Sequence, residues 1–593
     1  MYRLFLCLIG FMLVPVVSAA DVIVADPMVV TATRVETPVV DVLPSVIVID
    51  RDQIERSVAT DVAELLRFHG GLEIGRNGGP GQTTSLFIRG TDSNHALVLI
   101  DGVEVNPGTI GGAALQNIAP EMIERIEIVK GPRSTLYGSD AIGGVVNIIT
   151  RRADGISARL MAGKYNTVDY GLTAGQQWDG GRLSLSLGHH ETDGFASRLG
   201  NDLPDNGYDN TSVGLNTSLQ FGDASLAVRH WHSTGTAEYL DFFFKPKSQD
   251  YLNRSTALSW QVPVDDDWGI SLAVSQIEDD IDQRDDADYV RTVRNVLEWE
   301  NQLKLQQHKL VAGVYLARED TQSLSFGTRF DEDTAVNAVF VEDVIDLGRH
   351  QVVLALRHTD HDTFGGKTTY NAEYGRTLGD AWRLVASVGS AFRAPDATDR
   401  FGFGGNPDLD AEESVSYELG VRRNGDAHQI GLQVFETGID DLIEFVFDPV
   451  TFAGGNFNVA EARIRGAELS HRWQGGYWDL TTTALYQDPE DRRSGKQLAR
   501  RAQRQLTVNL VRQFGEHTLG LDVLAASARP DSPFSDVRNA GYVLANLSSQ
   551  FAVGEKWLLE GRIENLLDTE YELAAGFRSP ERGVYVAARY NMR

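Results

Sequence analysis

The sequence has one cysteine, Cys7, in 593 residues. Beyond residue 20 it has no run of about 18 apolar residues, the length at which a helix becomes a candidate to cross a bilayer. Basic side chains are outnumbered, with 54 Lys and Arg against 83 Asp and Glu and a net charge of -29. Each shortage excludes a class of function. Arg3, the apolar stretch Leu4 to Val17 and the small residues Ser18, Ala19 and Ala20 read as a secretory leader over residues 1–20, with cleavage after Ala19 or Ala20 both fitting. Cys7 lies inside it, and Leu6 precedes that cysteine where a lipid anchor needs a small residue. The remaining chain has no thiol, which excludes disulfides, thiol catalysis and thiolate metal sites. An exported chain this acidic is a poor partner for nucleic acid.

What is present changes character near residue 152. From about 40 to 151 the pattern is mixed. Ser45 to Asp50 reads as a strand, Asp52 opens a helical stretch with Ile54, and Val62, Leu65 and Leu66 mark a second helix. Strand-like runs follow at Leu86 to Arg89, Ala96 to Ile100, Ile123 to Val129 and Gly144 to Thr150, separated by glycine-rich turns. This spells a small α+β domain.

From 152 to 593 the period is two. Leu183, Leu185 and Leu187 alternate with Ser184, Ser186 and Gly188. Ile270, Leu272 and Val274 alternate with Ser271, Ala273 and Ser275, and Val415, Tyr417, Leu419 and Val421 repeat the pattern. One apolar face and one small or polar face, broken by Gly/Asp/Asn-rich turns, is the pattern of a membrane barrel with lipid outside. A soluble β-sandwich also alternates, but one of this length needs several domains, and no linkers are visible. Roughly 440 residues at about 20 per strand and connection give roughly 22 strands. A barrel that wide leaks unless plugged, and the first domain is the obvious plug. The expected fold is therefore an all-β membrane protein, a transmembrane antiparallel barrel with an α+β plug in its lumen.

The most distinctive stretches lie in the first domain. Asn77-Gly78-Gly79-Pro80-Gly81-Gln82-Thr83-Thr84-Ser85 leads into Leu86-Phe87-Ile88-Arg89-Gly90. Val98-Leu99-Ile100-Asp101-Gly102-Val103 follows, then Gly131-Pro132-Arg133-Ser134-Thr135-Leu136-Tyr137-Gly138-Ser139-Asp140. No Gly-Lys-Ser/Thr accompanies these glycines, so they are not a nucleotide loop. Together with Ala394-Pro395, Gly404-Gly405-Asn406-Pro407-Asp408-Leu409 and Asn565-Leu566-Leu567-Asp568, they resemble the TonB-dependent outer-membrane receptors, most closely the cobalamin receptors among them.

That resemblance implies a set of roles. Asp26, Pro27, Met28, Val29, Val30, Thr31 and Ala32 look like the TonB box, within a periplasmic segment at 21–39. Such a segment is recognised by strand addition: main-chain hydrogen bonds hold it and alternate side chains set the register. Arg89 and Arg133 match two plug arginines that meet two barrel glutamates, here Glu418 and Glu468. Substrate contacts fall on Thr83, Ser85, Asp92, Ile110 and Gly111, and imply cobalamin or a related corrinoid. Asp205, Asp209, Asp241 and Asp250 sit where the resemblance puts calcium, a hard cation that wants clustered oxygen ligands. The expected partners are TonB, with ExbB and ExbD as its energy supply, and outer-membrane lipid and lipopolysaccharide around a monomer. No nucleophile–base constellation appears, so no enzyme is expected, and His358-Thr359-Asp360-His361 reads as a strand end facing water. The other reading is import of an iron–siderophore or another scarce chelate.

The box makes the first prediction. Proline at position 30 removes a main-chain donor from the added strand. Val30→Pro should abolish uptake of labelled ligand while leaving surface binding intact. Loss of both together, or of neither, removes residues 26–32 from the coupling role.

Overall fold

Alternate side chains of a strand point to opposite faces, and a lipid-embedded wall sorts them by solvent. In the strand Gly181–Thr192, Leu183, Leu185 and Leu187 stand outward, 45%, 41% and 41% exposed, while Ser184 and Ser186 are buried on the inside. The computed structural model describes residues 28–29, 31–447, 454–533 and 535–592. The leader, and Asp26, Pro27 and Val30 of the expected box, lie outside the described residues.

Among the described residues, 22 antiparallel spanning strands form a closed barrel, from Gly155–Gly163 to Gly583–Met592. The last strand pairs with the first, Ser157 opposite Asn591 and Leu160 opposite Ala588. Closure satisfies every ladder and leaves no edge in hydrocarbon, which is what lets strands cross a membrane. Among the described residues no helix is long and apolar enough to do so. One rim has short turns at 179–180, 222–223 and 515–516, and the other has long loops at 193–207, 394–411, 527–541 and 565–582. Trp178, Trp268, Trp382 and Trp557 face outward at the short-turn rim. The tryptophans mark a membrane interface, and the short turns mark it as the periplasmic one.

The lumen holds the first domain. Its sheet runs in the order Ser45–Ile49, Ile123–Lys130, Gly144–Thr150, Ala96–Ile100, Val103–Glu104. Ala96–Ile100 and Gly144–Thr150 are buried along their whole length, so they read as continuous apolar runs rather than alternating ones. The helix Arg51–Ser57 begins at a capping box, with Asp50 Oδ1 accepting from Gln53 N at 2.8 Å and Gln53 Oε1 from Asp50 N at 3.0 Å. The cap is thus Asp50, and Asp52 lies inside the first turn. The helix Val62–Phe68 is capped by Asp61. Leu65, Leu66, Ile74, Ile88, Val98, Ile126 and Val146 form the plug core, joined by Trp231 from the wall.

An arginine on the lipid face near mid-membrane costs about 2–4 kcal/mol in such barrels. Leu187→Arg should lower unfolding stability in lipid vesicles by that order, measured by urea titration of tryptophan fluorescence. An unchanged midpoint means that this face does not meet lipid.

Candidate functional site

A charge inside the lumen is largely removed from water and has to be paired there. Arg89, at φ 50° just after the strand Thr84–Phe87, reaches across to the wall. Its Nη1 donates to Glu418 Oε2 at 2.9 Å, Nε to Glu468 Oε2 at 3.1 Å and Nη2 to Gln433 Oε1 at 2.7 Å. Its guanidinium also lies 4.7 Å from the centre of the Phe435 ring. Lys130 Nζ occupies the other oxygen of Glu468 at 2.5 Å. Arg133 departs from expectation: it pairs with neither Glu418 nor Glu468 but with Glu373 on the neighbouring arc, at 2.9 Å. Glu418 already receives Arg89, and both oxygens of Glu468 are taken. Glu373 carried a legible signal, since it shares the inward phase of Thr369 and Asn371 on its strand.

A second clasp went unread in the sequence. Glu121 of the plug meets Arg589 at 3.0 Å, Arg51 at 3.0 Å and Arg159 at 3.4 Å, and Glu560 receives Arg159 at 2.8 Å and Arg589 at 3.0 Å. It joins the plug to the two strands whose pairing closes the barrel.

The segment at the plug's periplasmic end is docked rather than free. Met28–Val29 pairs antiparallel with Thr37–Pro38. Thr31 donates from N and Oγ1 to Glu127 Oε2, at 3.0 and 2.6 Å, and Tyr137 Oη donates to the Thr31 carbonyl at 3.1 Å. Val29 and Ala32 are buried against Val42 and Val129. Arg34 pairs with Glu298 and Glu300 of the wall and donates to the Leu136 carbonyl.

On the long-loop side a cleft opens between plug and wall. Pro107, Gly108 and Gly111, with Tyr137 to Asp140, line it from the plug, opposite Tyr315, Arg357, His361 and Phe401. The expected substrate residues are not gathered there as a set. Gly111 lines the cleft, and Ile110 beside it is 43% exposed. Gly111 has φ +68°, and a Cβ there would come within 3.0 Å of Asp396. Thr83 ends the other plug loop and Ser85 stands in the strand Thr84–Phe87 that follows it; Gly81 of that loop packs so closely on Tyr208 that a Cβ would sit 2.2 Å from the ring. Asp92 is engaged elsewhere. Burial raises its carboxyl, but Arg501 at 2.7 Å, with His95 and the Ser93 amide, outweighs burial and holds it well below the usual carboxylate range. His358 and Asp360 point outward, while His361 turns into the cleft.

The four aspartates expected to hold calcium do not converge, and among the described residues no group of three or more His, Cys, Asp or Glu is placed to hold a metal. Asp205 accepts from Ala196 N at 3.1 Å, and Asp241 accepts from Phe243 N and Lys245 N, each at 2.8 Å, closing its own turn. Asp209 accepts from Thr236 N at 3.2 Å, and Asp250 is paired with Arg284 at 2.7 Å. The oxygens are spent on local donors, and the Arg284 guanidinium is paired with Asp250. As placed, these residues do not fit calcium.

A closed barrel filled by a separate domain, with buried counter-charges between the two, defines a gated outer-membrane receptor rather than an open pore. Residues 152–566 match the family described as TonB dependent receptor-like, beta-barrel, and residues 38–145 match the TonB-dependent Receptor Plug Domain. The chain belongs to the TonB-dependent receptors, transporters of the outer membrane. It is 29% identical over 588 residues to the Vitamin B12 transporter BtuB of Photobacterium profundum, covering 97% of each chain. Among solved structures it resembles the siderophore receptor PirA of Acinetobacter baumannii, with a TM-score of 0.77, 17% identity, and 92% of this chain and 98% of that one covered. It likewise resembles the FrpB iron transporter of Neisseria meningitidis, with a TM-score of 0.79, 15% identity, and coverage of 93% and 100%. At such identities the likeness is one of fold.

Glu468→Ala strands both Arg89 and Lys130, and removing one partner of a buried pair costs about 3–5 kcal/mol. Cells carrying it should admit more vancomycin than wild type, and more than cells carrying Glu418→Ala, which leaves Arg89 its bond to Glu468. Equal vancomycin sensitivity in all three strains shows that these pairs do not hold the plug in place.

Proposed function

We propose that this receptor imports cobalamin or a closely related corrinoid. The observation that carries the reading is the end-to-end similarity to a relative named as a vitamin B12 transporter, over 97% of both chains. The outward cleft supports it in kind, being wide, half-enclosed, and lined by rings, hydroxyls and charged groups suited to a large amphipathic ligand. The process has no chemical step. Ligand settles on the plug's outer loops and the cleft, the plug shifts, and the segment around Met28 to Ala32 leaves its dock and is added as a strand to TonB. For the segment to leave, the bonds of Thr31 to Glu127 and of Arg34 to Glu298 and Glu300 must break. ExbB and ExbD supply the energy from the inner membrane, and the receptor works as a monomer among lipid and lipopolysaccharide. Calcium enters no step.

Purified receptor should bind cyanocobalamin saturably, and intact cells should accumulate it only when TonB is present. Chelating calcium should change the affinity by less than about twofold, because Arg284 already occupies Asp250. A loss of about tenfold on chelation overturns that part and shows that the loops rearrange around an ion. No corrinoid binding by a folded receptor overturns the ligand, and binding of a ferric siderophore instead establishes the other reading.

A further inference from the structure

Most inward-facing arginines are paired with carboxylates, but among the described residues two in the outward cleft are not. Arg294 meets Glu104 at 2.9 Å and Glu319 at 2.5 Å, and Arg393 meets Asp396 at 3.0 Å and Asp399 at 2.5 Å. Arg357, on the strand His350–His361, is 1% exposed and has neutral partners: Thr359 Oγ1 at 3.0 Å and, more weakly, the Leu136 carbonyl at 3.4 Å. The Tyr315 and Phe340 rings flank it at 5.2 and 5.7 Å. Arg400, from the loop above, lies over Phe401 at 4.4 Å and Phe364 at 5.2 Å; its Nη1 reaches Thr363 Oγ1 at 3.5 Å, its buried Nε has no hydrogen-bond partner, and Glu332 and Asp362 face it without closing an ion pair. Both line the same cleft.

The carboxylates that face Arg357 there are already engaged. Glu104 and Glu319 belong to Arg294, Asp396 to Arg393, and Asp140 accepts from Ser139 Oγ at 2.6 Å. Glu332 lines the cleft near its outer rim, at the start of its strand. Ring faces and a hydroxyl offset only part of the cost of burying a guanidinium. Arg357 thus presents a guanidinium held by neutral groups to whatever enters the cleft, and the planar fork of arginine suits an oxyanion that can take two parallel bonds.

We propose that this cleft is an oxyanion subsite, in which Arg357, with Arg400 above it, receives a phosphodiester or carboxylate group of the transported ligand. The proposal deepens the transport reading by naming a recognition element, but it does not depend on the ligand being a corrinoid. An oxyanion on Arg357 replaces the long bond to the Leu136 carbonyl, the same carbonyl that Arg34 holds from the periplasmic side.

The test uses full-length receptor in detergent and two sets of probes. In equilibrium dialysis with radiolabelled orthophosphate at low ionic strength, wild type should bind saturably. Arg357→Gln should bind about tenfold more weakly, and Arg357→Lys, which keeps the charge, should recover most of the loss. Absence of saturable binding in wild type, or equal binding by Arg357→Gln, overturns the subsite. Should Arg357→Gln fail to give a heat-modifiable barrel on electrophoresis, Arg400→Gln carries the comparison, with an expected loss of about threefold. The second set compares cyanocobalamin, which has a phosphodiester, with dicyanocobinamide, which has none. Arg357→Gln should weaken the first and leave the second unchanged, and equal weakening of both assigns Arg357 to support of the plug loop instead. If wild type binds neither corrinoid, the ligand reading falls, and the phosphate series alone decides the subsite.

Discussion

Charge enclosed in a lumen governs this molecule. A wall that turns Leu, Val and Trp toward lipid must turn its other face inward, and a lumen lined with Ser, Asn, Arg and Glu cannot be filled by an apolar core. The plug is therefore seated by counter-charges: Arg89 and Lys130 on Glu468 and Glu418, Arg133 on Glu373, and Glu121 on Arg159 and Arg589. Buried pairs add little net stability compared with an apolar seam, but breaking one leaves a stranded charge. Such a seam fixes position strongly, yet water can dissolve it once the two bodies part. That combination suits a domain that has to be held in place at rest and moved under load.

The seating is uneven. From Tyr208 to Gln283 four strands meet the plug with no ion pair among the described residues. Asn117 takes their place, donating to Asn253 Oδ1 at 2.7 Å and accepting on its carbonyl from Asn210 at 2.9 Å and Ser233 at 2.8 Å. Elsewhere the contacts tie the two ends of the plug together. Leu136 and Tyr137 touch Arg34 and Thr31 of the periplasmic segment, and Arg357 and the outward cleft on the other side. A displacement of these two residues is felt at both surfaces.

Much of the architecture was legible because period two survives any tertiary context: a residue in phase with Leu183 and Leu185 faces lipid wherever its strand sits. The plug elements were legible because buried strands such as Ala96–Ile100 are short apolar runs between glycines. The first helix reads from the sequence as starting at Asp52, whereas the cap is Asp50, since a capping box depends on a reciprocal bond with Gln53 that the spacing alone does not reveal. The partner of Arg133 differs from expectation because a match of two arginines to two glutamates leaves out Lys130. That lysine sits at the end of a plug strand and saturates Glu468.

The sequence by itself determined the division at about residue 152, the barrel, its plug and the inward phase of the charged residues. These follow from local periodicity and from the cost of exposing backbone or charge to hydrocarbon. Only the tertiary structure decided which charges meet, that Arg284 pairs with Asp250, and that Arg357 has no carboxylate partner among the described residues. Pairing across a lumen is set by the stagger of 22 strands and by the depth at which the plug sits. Neither quantity is written in the spacing of residues along the chain.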